Sequence, residues 1–517
     1  MKKKILLTGL VSFFSVSIFA QIPEDVLKYS WQPVNGTARI NAIGGAMGSL
    51  GGDLTATFVN PAGIAFFKTT DIVLSPGFSF LNNKSNFRGT GASDKTSFFN
   101  VGPTGIIGGW KGGNGWNNAL SFAISNRSFS NNIFYTGQND FSSGAEQYAA
   151  EVAGSGIPID NIPFNNQVSF GSQMAVWNYL VDTTTLPGNN SPDVISLAMW
   201  DALKNGGQFL VKQSTTTETF GNFTDLALGF ATNHNDKLYI GGSFGLPIVK
   251  YTKENTFREE DASGDNDNNF NFYELKETFT TKGIGINGKL GVIYKPAEFM
   301  RVGLAVHTPT WYSFEDSYDA RMDVNLDNYR TTPGTTSVTV RELFNGNIPT
   351  YKYELVTPWK VILSGSYVIR EIEDVRKQKG FLTADIEYVT YGSNKFRNAE
   401  DYDNDDYYNS VNDVMNKYYK GAFNFRVGGE LKFTTMMGRL GFAYYGNPYK
   451  DKELKANRMF ISGGLGYRNA GMFIDLTYAH GLHKDVNFPY RLPDKANTFA
   501  TTKSSGGNIS LTLGFKI

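Results

Sequence analysis

The sequence predicts an all-β fold: a 14-stranded antiparallel transmembrane β-barrel with a small N-terminal hatch inside its lumen. Three observations carry this expectation. Fourteen segments alternate apolar and polar side chains with the two-residue period of a strand. The connections between them alternate in length, short on one side and long on the other. Residues 21–70, ahead of the first strand, hold a stretch too poor in large side chains to build a core of its own.

The chain opens with Lys2, Lys3 and Lys4, an apolar run at 5–20 and Gln21, so residues 1–20 read as an export signal. That run falls short of the ~20 residues a membrane helix needs, and no stop-transfer flank comes after it. No cysteine occurs in 517 residues, which excludes disulfides, thiolate metal sites and a lipidated N-terminus. Lys+Arg and Asp+Glu balance at 48 each, which argues against a nucleic-acid partner. Downstream of the signal no apolar run is long enough for a membrane helix, so a membrane crossing must use strands.

Residues 21–70 are the expected hatch. Positions 41–67 read NAIGGAMGSLGGDLTATFVNPAGIAFF. A short helix is predicted over 38–50, ended by Gly51 and Gly52, with Asp53 capping the next turn. At Asn60-Pro61-Ala62 the Asn side chain closes an Asx-type turn and Pro fixes φ, giving a stiff corner and a candidate gate.

The barrel takes 71–517, with strands expected near 71–84, 97–110, 116–130, 222–234, 237–257, 282–295, 298–319, 358–370, 380–396, 420–434, 438–450, 457–468, 471–484 and 507–517. In the last of these, Ile509, Leu511, Leu513 and Phe515 share a face opposite Ser510, Thr512 and Lys516. An even strand count with both termini on the short-turn side is the layout of outer-membrane barrels, in which closure satisfies every backbone group and the apolar face meets lipid. Long loops are expected at 131–221, 258–281, 320–357, 397–419 and 485–506. Within the first, 193–203 (DVISLAMWDAL) has the spacing of a short helix.

On the face opposite lipid lie Arg301, Asp385, Glu387, Arg426, Glu430, Lys432, Arg468 and Asp475. A wet or plugged lumen pairs such ions across strands. Mixed signs favour a structural network over an ion pathway. His480 and His483 fall on opposite strand faces, so no haem-binding pair is visible. No Ser-His arrangement suggests a hydrolase. In the acidic run at 261–274, Phe270 replaces the Gly an EF-hand loop requires and no acid sits at its twelfth position. No enzyme activity, cofactor or metal is expected.

Several of these segments resemble the long-chain fatty acid transporter (FadL-type) family of outer membrane proteins. The hatch ending GGDLTATFVNPAGIAFF is similar to the family's "NPAGLA" pattern, and VGLAVHTPTWYSFED (302–316) to its "GxxYRSPxxHxF" strand. VTPWKVILSGSYVI (356–369), TADIEYVTYGSNKF (383–396) and FRVGGELKFTTMMGRLGFAYYGNPY (425–449) come next, in the family's order. His307 stands where the family usually has Tyr or Arg. The resemblance implies a hatch in the lumen, an inward kink of the third strand that opens the wall, and a hydrophobic small-molecule cargo. A monomer in a bacterial outer membrane, in contact with lipid and lipopolysaccharide, is expected. No Pro or Gly lies in 119–129 to force the kink. A general diffusion porin, a structural or adhesive barrel and a receptor for a haem-like lipophile are the alternatives.

Overall fold

A computed structural model describes residues 26–185, 192–204, 206, 209–329, 334–369, 379–399, 406–450 and 457–517. The export signal read at 1–20 lies outside the described residues. The strands are β1 (Thr70–Leu74 and Pro76–Phe87), β2 (Thr90–Lys111), β3 (Trp116–Asn139), β4 (Val211–His234) and β5 (Leu238–Asp261). Next come β6 (Phe272–Ala297), β7 (Met300–His307 and Trp311–Asn325), β8 (Thr350–Val356 and Lys360–Ile369) and β9 (Gly380–Val389 and Lys395–Asn398). The last five are β10 (Ala422–Phe433), β11 (Met436–Tyr445), β12 (Arg458–Asn469), β13 (Met472–Asn487) and β14 (Ala500–Lys516).

Each strand pairs antiparallel with the next, and β14 returns to β1 through Asp71↔Lys516 and Gly77↔Ser510, so the sheet closes. The expected 14-stranded antiparallel barrel is the observed one. Its apolar face is outermost. Leu440 is 75% exposed and Leu465 60%, with Leu382, Ile386, Phe425 and Phe515 in the same belt. Around a protein in water such a belt would drive association; in hydrocarbon it is the favourable surface. The alternating partners Thr383, Asp385, Asn424, Arg426 and Thr512 are buried inside.

The strands run further outward than their hydrophobic alternation. β3 reaches Asn139 and β4 starts at Val211, so the loop expected at 131–221 occupies 140–210. Those extensions are rich in Thr, Asn and Gln, and backbone ladders continue there without an apolar face to signal them. The loop expected at 258–281 shrinks to 262–271.

The outer loops build a second core. Helices Glu146–Ser155, Phe170–Trp177 and Leu197–Lys204 pack on Phe257, Tyr273, Met322 and Tyr490. The helix expected over 193–203 is half strand. Asp193–Ser196 pairs with Val181–Thr184, because β-branched Val194 and Ile195 suit a hairpin, and the helix begins only at Leu197. Leu197, Ala198 and Ala202 are buried, so this element holds its own loop together.

Candidate transport site

Residues 26–67 lie inside the barrel. The helix expected over 38–50 covers only Ala38–Ala42. Gly44 (φ 69) and Gly45 (φ 80) take the left-handed conformation directly after it and turn the chain. Further helical turns lie at Ala56–Val59 and Pro61–Phe66. Asp53 accepts the Thr55 amide (2.9 Å) and the Thr37 hydroxyl (2.8 Å), so it closes the turn ahead of Ala56–Val59.

At Asn60-Pro61-Ala62 the expected turn forms, with Asn60 Oδ1 accepting the Ala62 amide at 3.1 Å. The other end of the same side chain donates to Gly48 O at 2.5 Å and faces Val292 O and Leu304 O on the wall, each at 3.5 Å. One residue thus ties the corner to its own segment and to the barrel.

The wall meets this inner backbone through glycines. A methyl group on Gly241 would come within 2.5 Å of Pro61 O, and one on Gly464 within 2.8 Å of Ala42 Cβ. At Gly291, Gly303, Gly428 and Gly441 it would overlap Asn60, Gly48, Ile43 and Gly44. Only hydrogen fits at these positions. Hydroxyls supply the polar contacts: Thr512 accepts the Ala38 amide (2.8 Å), Ser462 donates to Ala42 O (3.0 Å) and Ser243 donates to Thr57 O (2.8 Å).

Among the described residues the lumen ions form two clusters. Arg426 lies 3.6 Å from Asp385 and 3.4 Å from Glu387. Asp385 also accepts the amides of Met47 (2.9 Å) and Gly48 (3.1 Å), so this cluster holds the inner segment. In the second, Arg439 bridges Glu430 (2.6 Å) and Asp475 (2.5 Å), with Arg39 of the inner segment 3.5 Å from Glu430. Arg301 donates to Leu50 O at 2.7 Å and covers the Phe66 ring. Arg39 and Arg439 were not among the residues expected in the lumen. The parity of Met437, Gly441 and Ala443 would have placed Arg439 on the inner face.

Above this plug, between 29–35, Phe58–Val59 and the wall, is a cavity of about 180 Å³. Tyr29, Val34, Phe58, Phe223 and Tyr312 give it apolar surface. Its charged lining is Arg127, Lys289, Lys360 and Arg426 against Asp225 and Glu387, an excess of two positive charges (four minus two), or one when Asp385 behind Arg426 is counted. His307 lies in the lining with a ring nitrogen 2.7 Å from Val59 O, which requires that nitrogen to carry the proton.

Beside the cavity the wall parts. The β2–β3 ladder slips between Val101 and Thr104 and has no partners above Val101↔Asn126. β3 stays paired to β4 and turns inward, leaving the β2 ladder but keeping a side-chain tie to it, Thr96 Oγ1 donating to Ser130 O at 2.9 Å. Its Asn131 accepts from Asn83 of β1 at 2.5 Å, and Tyr135 lies 5.2 Å from Phe87. From Asn126 to Ile133 the in-out alternation of burial is lost. The cause is in the neighbouring strand. Gly102-Pro103 of β2 breaks the ladder because Pro has no N–H to give it. Asn35 fills the gap from inside, donating to Val101 O (3.3 Å) and to Ser125 Oγ (2.9 Å).

A closed apolar belt, a packed inner segment and a wall parted on one side define a plugged outer-membrane barrel, crossed by fourteen strands. The solved structures it resembles have that fold. A toluene transporter, TodX of P. putida, superposes with a TM-score of 0.51 at 12% identity, over 94% of this chain and 99% of that one. A FadL homologue of Pseudomonas aeruginosa gives 0.51 at 14% identity, over 94% and 98%. No family model and no curated protein matches the sequence.

Proposed function

We propose that the chain carries hydrophobic small molecules across the outer membrane and releases them sideways through the opening between β2 and β3. The observation that carries this reading is the end of the β2–β3 ladder at Val101↔Asn126, beside Asn35, Ser125 and Arg127 of the cavity lining. A solute that leaves through a parted wall enters hydrocarbon, where each buried methylene gains about 0.8 kcal/mol. An open aqueous pore offers none of that. The similar structures are described as a toluene transporter and a FadL homologue, which agrees with a lipophilic cargo.

The cavity lining favours an amphiphile. Its excess of cationic groups suits a carboxylate head, and long-chain fatty acids combine such a head with an apolar tail. At about 180 Å³ the cavity is smaller than the roughly 300–1,000 Å³ of an ordinary ligand pocket, so a long tail must project through the side opening while the head is held. The inner segment is the hatch in this reading. Asn60, Pro61 and Ala62 form its stiff corner, and Arg301, Asp385, Glu387, Arg426, Glu430 and Asp475 hold the barrel and hatch together.

The absence of native cysteine makes the side opening directly testable. Ser128→Cys places a single thiol on the inward-turning part of β3. Attaching a bulky maleimide there should lower uptake of a fluorescent long-chain fatty acid severalfold relative to the same unlabelled variant. Equal uptake before and after labelling would remove the β2–β3 exit.

A further inference from the structure

The same cavity meets the wall a second time, along β5 to β8. Three prolines sit there: Pro247 in β5, and, beyond β6, Pro309 in the break of β7 beside Pro358 in the break of β8. The β5–β6 ladder pauses between Gly245↔Asn287 and Ile248↔Ile284. β7 and β8 pause together, between His307↔Lys360 and Trp311↔Val356, with no slip in register. β9 is interrupted at the same level by the helical turn Tyr391–Ser393.

Proline is foreign to the interior of a sheet, since each one deletes a ladder donor. In hydrocarbon a lost ladder bond has no water to replace it. Side-chain hydroxyls fill in. Thr310 N–H donates to Thr357 Oγ1 at 2.8 Å, and Gly288 N–H to Thr308 Oγ1 at 2.9 Å. Between the two three-residue breaks one backbone bond remains, Thr357 N–H to Thr310 O at 3.0 Å. Thr308, Thr310, Thr357 and Pro358 line the cavity from inside, while Trp311 and Trp359 are exposed on the outer wall. The thinnest part of the β7–β8 ladder is therefore the part that separates cavity from lipid.

We propose that this β7–β8 seam is a second side door, through which a lipophile held in the cavity passes to or from the membrane. Opening it takes one backbone bond and one side-chain bond, while the regular ladder above and below keeps the register. The two tryptophans offer an apolar surface at its outer mouth. The proposal rests on the reading of the chain as a carrier of lipophiles.

Thr310 and Thr357 stand directly opposite each other, and opposed residues of an antiparallel pair have Cα atoms about 4.5–5.5 Å apart, within disulfide range. In the double variant Thr310→Cys/Thr357→Cys, oxidation should cut cellular uptake of a fluorescent long-chain fatty acid severalfold, and reductant should restore it. The same treatment of Ser85→Cys/Thr502→Cys, opposed on the unbroken β1–β14 ladder, should change nothing. A second variant, Pro309→Ala/Pro358→Ala, returns two ladder donors and should also slow uptake. Equal uptake by oxidised and reduced Thr310→Cys/Thr357→Cys, with uptake by the proline variant at the wild-type level, would overturn the second door and leave the transport reading standing. Absence of uptake by the unmodified protein would overturn both.

Discussion

Gly441→Val should dislodge the inner segment and let sugars through a barrel that otherwise stays folded. A side chain at this position of β11 would overlap the Gly44 amide nitrogen and come within 2.6 Å of Ile43 Cα. Neither can yield cheaply. Both are backbone, in a turn whose Gly44 already has φ 69. The barrel ladder around Gly441, paired to Gly428 and Ser462, does not depend on the side chain. Adding one should otherwise favour a strand, because Gly is costly there. The strain therefore falls on the inner segment, whose packing holds the lumen shut. Swelling of proteoliposomes in arabinose should be fast for Gly441→Val and slow for wild type. Gly365→Ala is the control, since a methyl group there meets nothing within 4 Å. Fast swelling by the control, or none by Gly441→Val, would contradict a plug fitted against the glycines of the wall.

The second large effect is expected at Arg426. Arg426 is 2% exposed, and its guanidinium sits between Asp385 and Glu387, which are themselves buried. Arg426→Met leaves two buried carboxylates without their cation. Breaking a buried pair on one side costs on the order of 3–5 kcal/mol. Part of that loss should fall on the inner segment, because Asp385 holds the Met47 and Gly48 amides. Hydrogen exchange at those two amides should accelerate, and the unfolding midpoint in detergent should fall. Adding Glu387→Gln removes one of the stranded charges and should recover part of the loss, so the two substitutions will not be additive. An unchanged midpoint in Arg426→Met would mean that the cluster contributes nothing to holding barrel and plug together.

How much of this was legible in the sequence depends on where the cause of each feature lies. The membrane-level halves of the strands were readable because a buried inner face and a lipid-facing outer face force strict alternation. Leu382, Ile386 and Phe425 point out, and Asp385 and Arg426 point in. The Asn60 turn was readable because its bond to the Ala62 amide spans only two residues. Strand extensions such as 131–139 were not, since the face they bury holds Tyr135, Gly137 and Asn139 and no run of apolar side chains marks it. The glycines facing the plug carry no local signal either. Gly441 matters because Gly44, nearly 400 residues away in sequence, lies against it. The kink of β3 has no signal in β3 itself, which holds no Pro or Gly between 119 and 129. The breaker is Gly102-Pro103 in β2, and a ladder fails when either partner lacks a donor. The paired prolines of β7 and β8 carry no local signal either, for their meaning lies in being opposite each other.

The most direct test of a plugged barrel that passes lipophiles rather than water-soluble solutes is made on the wild-type protein in proteoliposomes. Arabinose swelling is measured beside the emission of a bound fluorescent long-chain fatty acid challenged with an aqueous quencher. The account predicts no swelling above empty liposomes and an emission shielded from the quencher. Rapid swelling with a fully quenched probe would contradict it and identify an open diffusion pore.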